Sequence, residues 1–387
     1  MKHPALLRIL WMAMRNELHT ISHTPATALV VVGGVVVYGL LYNLFYAPNV
    51  VREAPIVVVD ESHSHLSERF ISLLDASPSA EVITTATTLH EGQELLQKGV
   101  GKALIYLPHD MEHLVGRGEQ AVVVAFSTTN TFLYYEATAE AVVEASLALG
   151  EEVREGLAWM LPEEVQLALS TRQPITPEGI ALFNPSKGYA TYLLPVVLMI
   201  IIFQTLTMVV AMTSAGRSAK GISLLRTPKP RLLKRITVVI GRTTIHSTLY
   251  GAFLLFLVGL LPRLFDLPHL ASAWTLVGIL TPFILATSLL GQCFGRLFSD
   301  SDAPLLLITF FSVGLIFIAG ISYPVELLPT PWRVFHYIFP SSPAILAYTS
   351  TASMGATLSE VGREIAVLWT QVGAYFLLAT IPQRGFR

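Results

Sequence analysis

Seven stretches of this chain run for nineteen residues or more without Asp, Glu, Lys or Arg. A helix needs about 20 apolar residues to cross the hydrocarbon core of a bilayer. Six of the stretches are rich enough in Leu, Ile, Val and Phe to do so: Leu18–Val51, most apolar from Ala26 to Ala47, then Gly188–Gly216, Thr243–Pro262, Leu267–Gly295, Ala303–Val325 and Ile365–Gln383. The seventh, Val334–Ser359, contains Pro340, Pro343 and Gly355 among many Ser and Thr. Proline removes a backbone donor, and lipid offers no replacement partner. This stretch therefore reads as a re-entrant or interfacial element packed against protein. The first stretch is too long for a signal peptide, and no small-residue cleavage pattern follows Tyr46-Ala47-Pro48, so it reads as a retained anchor.

Composition agrees. Hydrophobic residues make up 52% and charged residues 13%, against roughly 25% charged in a soluble domain. Disorder and a disulfide scaffold are excluded, since the chain is apolar and Cys293 is its single cysteine. With the N-terminus inside, the inner segments carry thirteen Lys and Arg and the short outer loops only Arg263, Arg333 and Arg363. The positive-inside rule then puts both termini in the cytoplasm. Missing disulfides suggest a bacterial inner membrane as the site.

Residues 48–188, between the first two spans, have a net charge of −12, and the rest of the chain has +10. The segment is long enough to fold alone. Pro55–Val59, Glu81–Thr85, Lys102–Leu107 and Ala121–Phe126 read as strands; His65–Leu74, Leu89–Gln97 and Asp110–Val115 read as helices; residues 134–171 read as a helical stalk. Alternation of this kind predicts a small α/β sheet domain. Near the N-terminus, Leu6, Leu7, Leu10, Trp11, Met14 and Leu18 lie opposite Arg8 and Arg15, which predicts an amphipathic helix over 1–24 on the cytoplasmic surface, because Arg8, Arg15 and Glu17 are costly in hydrocarbon. The predicted fold class is an α-helical membrane protein. It has a first span at 25–47, a periplasmic α/β domain at 48–188, and a five-helix domain at 189–387 with a cytoplasmic loop 212–235 and a re-entrant outer segment 323–363.

Catalytic patterns are few. His109-Asp110-Met111-Glu112-His113 matches the H-x-x-E-H zinc motif, but a third ligand and an enclosed cleft are needed, and a surface helix after a strand explains the match. His63 and His65 beside Asp60 and Glu61 read as a solvated loop. Lys102 lacks the glycine spacing of a phosphate loop, so no ATP site, catalytic residue or metal site is expected in the chain itself. Gly291 and Gly295 form a GxxxG, read as close helix packing within the chain. Buried charge looks nearly absent. Arg242 lies near the cytoplasmic end of the third span, where it can snorkel, and His246 follows one turn on. That disfavours an ion-driven transporter and fits a machine powered from outside the chain. The loop Met212–Arg235 holds seven cations and no acid, and Ile222, Leu224 and Leu225 give Ser218–Arg226 a helical pattern that Pro228 and Pro230 end. Such a helix could dock a cytoplasmic partner.

One span, a large outer domain and five further spans resemble the permease subunit of type-2 ABC exporters, in the drug-efflux group with a large periplasmic loop. The residues that carry the resemblance are Leu104–Pro108, Met111–Val115, Gly118 and Val122–Ser127 in the outer domain; Phe183-Asn184-Pro185 with Tyr189 and Pro195 entering the second span; and Gly320, Pro324, Pro329, Pro340 and Gly355 before the last. Those permeases usually carry an acidic pair before Gly-Thr and a leucine. Here Arg217-Ser218-Ala219-Lys220 precedes Gly221-Ile222, while Leu225 and Pro228 still fit.

The resemblance implies an exporter of amphiphilic or drug-like substrates. Its partners would be ABC ATPase subunits, which bring ATP and Mg, a second permease copy or paralogue, a periplasmic adaptor and membrane lipid, with no nucleic acid. Arg217, Lys220, Gly221, Ile222, Leu224 and Leu225 would couple to the ATPase. The substrate would pass between the second and fifth spans, with Phe203, Gln204, Thr207, Phe310 and Phe317 as lining. Two other classes fit the topology: a receptor or assembly factor binding a ligand through its outer domain, and a membrane-bound zinc hydrolase.

Overall fold

A computed structural model describes residues 3–127, 132–159, 183–184, 188–219, 232–265, 267, 269–320 and 322–382. The chain divides into two compact units, Val50–Ile180 and the remainder, Met1–Asn49 with Ala181–Arg387.

Ile56-Val57-Val58-Val59 is a continuous β-branched run, and a strand buried on both faces requires that pattern. It forms the centre of β1 (Ala54–Asp60), which pairs in parallel with β2 (Ala80–Ala86) on one side and β3 (Ala103–Leu107) on the other; β4 (Val124–Ser127) adds antiparallel to β3. Ile56 and Val58 face Phe70 and Leu74 of α3 (His65–Asp75), together with α5 (Met111–Gly116) and α6 (Phe132–Trp159). Val57 and Val59 face the opposite layer, α4 (Leu89–Gln97), through Leu89, Leu95 and Leu96. The unit is thus a three-layer α/β sandwich. Ser64 starts α3 with a reciprocal cap to Ser67, and Thr88 caps α4. β4 starts three residues later than the spacing predicts, because its register runs only from Val124 opposite Tyr106 to Ser127 opposite Ala103. The predicted stalk ends, within the described residues, at Trp159.

In the second unit, α1 (His3–His23) ends where Thr24 turns extended and Pro25 opens α2 (Pro25–Phe45), which winds in wider π-type turns over Val30–Val37. The later helices are α7 (Tyr189–Ala219), α8 (Leu232–Leu264), α9 (Ala273–Gly295), α10 (Ala303–Ile318), α11 (Thr330–Ile338), α12 (Ser341–Met354) and α13 (Gly362–Thr380). Asn49 joins the exit of α2 to the entry of α7: its Oδ1 accepts from Thr191 N at 3.1 Å, and its own carbonyl accepts from Tyr189 N at 2.8 Å. Among the described residues four helical segments are long and apolar enough to cross a membrane, namely α2, Tyr189–Ala215 within α7, α8 and α9.

The fifth and sixth apolar windows form α10 and α13, of 16 and 19 residues. Sixteen residues at 1.5 Å each reach about 24 Å. The proline-rich window divides into α11 and α12, nine and fourteen residues, with Pro340 between them. Gly355 ends α12 at φ +71°, a left-handed cap that glycine adopts without strain. There Leu270 donates to Ala352 O at 2.8 Å, so α12 ends beside the turn between α8 and α9. α13 runs alongside α9: Leu358 lies against Gly278 at one end, and at the other Arg296 donates to Leu378 O at 3.0 Å and to Ile381 O at 3.2 Å.

Candidate functional site

The third apolar window begins at Thr243, yet α8 begins at Leu232 and carries Lys234, Arg235 and Arg242 within it. α1 lies along α8. Its buried residues are Ala13, Glu17 and Ile21, one turn apart, while Leu7, Trp11 and Leu18 are exposed. The predicted apolar face of α1 is therefore divided between protein and surroundings, and the acid turns inward. Gly241 makes the approach close. A Cβ there would meet Leu10 O at 3.1 Å and Ala13 Cβ at 3.0 Å.

Glu17 is fully buried. Its Oε2 accepts from Arg242 Nε at 2.9 Å, and its Oε1 lies 3.1 Å from His246 Nε2. Arg242 Nη2 donates to Ser214 Oγ on α7 at 2.6 Å, and Ser214 in turn donates to Val210 O. His246, also fully buried, places Nδ1 3.1 Å from Ser288 Oγ on α9. With its proton on Nε2, His246 donates to Glu17 and accepts from Ser288. One turn further along α9, Gln292 donates to Thr243 Oγ1 at 2.9 Å. Four helices, α1, α7, α8 and α9, thus meet at one carboxylate whose charge is balanced by one guanidinium.

This corrects two expectations. Arg242 does not snorkel freely, and the membrane unit is not empty of buried charge. A lone buried carboxylate costs several kcal/mol, but a carboxylate paired with arginine and hydrogen-bonded on both oxygens offsets most of that cost. The available signal was Arg242 and His246 at i and i+4, with Glu17 the only acid before residue 53. The α1–α8 pairing, 225 residues apart, could not be read from spacing.

Of the predicted pathway residues, Phe203 and Thr207 line one apolar cavity of about 40 Å³, together with Phe294, Ile308, Phe311 and Phe339. Gln204 is half-buried, and Phe310 and Phe317 are exposed on the other side of α10. The structure brings two of the five together. Of the predicted coupling residues, Arg217 lies in the last turn of α7, and Lys220, Gly221, Ile222, Leu224 and Leu225 lie outside the described residues. The GxxxG glycines pack α9 on α7, where a Cβ at Gly291 would meet Val210 at 2.8 Å and one at Gly295 would meet Ala211 O at 2.4 Å.

The H-x-x-E-H segment is not one helical face. α5 begins at Met111, which leaves His109 in the preceding turn, and among the described residues no three His, Cys, Asp or Glu side chains group as a metal site. Asp60 instead closes its own loop, accepting from Ser62 N, His63 N and Ser67 Oγ.

A family model described as ABC-2 family transporter protein matches residues 26–381. The chain belongs to the ABC-2 family of transporter proteins. No curated protein and no solved structure matches it. Membership makes it a multi-pass transmembrane permease, a component without its own ATPase site that works with an ABC ATPase.

Proposed function

We propose that this permease exports an amphiphilic or drug-like substrate across a bacterial inner membrane, drawing energy from ATP and Mg bound by separate ATPase subunits. The observation that carries the reading is the family match over nearly the whole chain. A second copy or a paralogue completes the pathway, and Val50–Ile180 forms an outer domain suited to an adaptor. Both termini are cytoplasmic, in keeping with thirteen inner cations against three outer ones. Six spans are the reading supported by α13 running beside α9 and by α12 ending at the α8–α9 turn. The basic loop 212–235 is the ATPase contact, and ATP binding acts through it as a population shift between inward and outward states.

Extraction of the tagged chain in mild detergent, followed by mass spectrometry, tests the reading. A stoichiometric P-loop ATPase is expected; a chain recovered alone, or with outer proteins only, favours the receptor reading instead. Charge reversal at Arg217 and Lys220 should lower ATPase-coupled export at least several-fold while membrane insertion stays intact. Unchanged export would remove the loop from the coupling path.

A further inference from the structure

We propose that the Glu17 joint is a transmission element: Glu17 is a positioning residue that holds α1 on the bundle in this state, and α1 shifts against α8 during the ATP cycle. The proposal rests on the permease reading and deepens it.

Position is the first argument. Ser214 lies about one and a half turns before the end of α7 at Ala219, and Arg242 lies under three turns into α8 from Leu232, so the two stand on the helices at either end of the basic segment. Arg242 donates both to Glu17 and to Ser214, which accepts, so the two residues are joined through one guanidinium. A displacement of the loop therefore reaches Glu17 through both helices that frame it. Chemistry is the second. α1 already packs through Ala13 and Ile21, so apolar burial alone would dock it. A buried ion pair adds little net stability over apolar residues of the same volume, and its best-attested use is to fix one arrangement against others. Surface is the third. Next to the ion pair, α1 meets α8 at Gly241, where a Cβ would meet Ala13 Cβ, Leu10 O and Leu10 Cδ1, a close approach that the glycine permits. Directional polar contacts beside a close small-residue contact make a joint that can release and re-form.

Ala13→Cys with Gly241→Cys, in a Cys293→Ser background, tests the movement. An added Cβ at Gly241 lies 3.0 Å from that of Ala13, so a give of about 1 Å reaches disulfide geometry. In the purified permease–ATPase complex in nanodiscs, the disulfide should form without nucleotide and form at least fivefold more slowly after trapping with ATP and vanadate. The cross-linked complex should hydrolyse ATP at least fivefold more slowly and recover on reduction. A cross-linked complex that turns over at the uncross-linked rate overturns the proposal.

Glu17→Leu combined with Arg242→Met separates transmission from simple stability. Removing both charges should restore the thermal midpoint that Glu17→Gln lowers, yet leave ATPase turnover of the complex at least fivefold below wild type. Recovery of both properties would mean a purely structural role. A wild-type chain that retains no ATPase overturns the permease reading, and the joint with it.

Discussion

At Gly295 the two helices α7 and α9 are close enough that a single added atom has nowhere to go: it would lie 2.4 Å from Ala211 O and 2.5 Å from Ser214 Cβ. Gly295→Leu should therefore cost about 1–3 kcal/mol by overpacking. It also pushes on Ser214, which accepts from Arg242, so the damage reaches the charged joint. Gly251→Leu on α8 is the matched control, since nothing lies within 4 Å of a Cβ there. Thermal unfolding in detergent should show a clear drop for the first variant and little for the second; equal midpoints would contradict the close packing. The GxxxG spacing was readable in the sequence because it is local. The Glu17 contact was not. Each of its members was visible, but an amphipathic helix with two arginines reads as a surface helix, and only tertiary packing decides which of its faces turns inward.

Elements were legible where burial is uniform along them. The run Ile56–Val59 admits one reading, a strand covered on both faces, and the structure places it at the centre of the sheet. α8 was misjudged at its start because cations usually mark the end of a span, whereas here Lys234 and Arg235 are carried inside the helix. α6 is held to α3 by Arg69, whose Nε and Nη2 donate to Glu152 at 2.8 and 2.6 Å. That pairing holds the Glu152 carboxyl below the usual carboxylate range, chiefly through the hydrogen bonds from Arg69. The sign follows: a carboxyl lowered in the folded state adds stability at neutral pH and loses it as pH falls through its lowered value. Arg69→Gln should lower the thermal midpoint slightly at pH 7, and the gap from wild type should close below about pH 4. The pair is exposed, so the gap at pH 7 should shrink in high salt as well. A gap that persists at pH 3 would assign the effect to packing of the arginine stem.

For the whole molecule, the number of crossings decides which surfaces meet the cytoplasm. Among the described residues four helices meet the length and apolarity that a span needs, while α10 and α13 are shorter or carry charge in the first turn, as Arg363 and Glu364 do in α13. In the proposed six-span arrangement these two cross as well. α13 covers the same height as α9, from Gly278 beside Leu358 to Arg296, whose guanidinium donates to carbonyls at the end of α13. A cation at a helix C-terminus is also favoured by the helix dipole. Six crossings put His90 and Thr357 on the outer side and Ser301 on the inner side. Four crossings would leave Thr357 inside with Ser301. Single cysteines at these three positions, in a Cys293→Ser chain, distinguish the two with a membrane-impermeant thiol reagent on intact spheroplasts. Labelling at 90 and 357 but not at 301, until the membrane is broken, is the outcome that six spans require. Labelling at 90 alone would return α10–α13 to the inner face, and the contacts between α12 and the α8–α9 turn would then need another explanation.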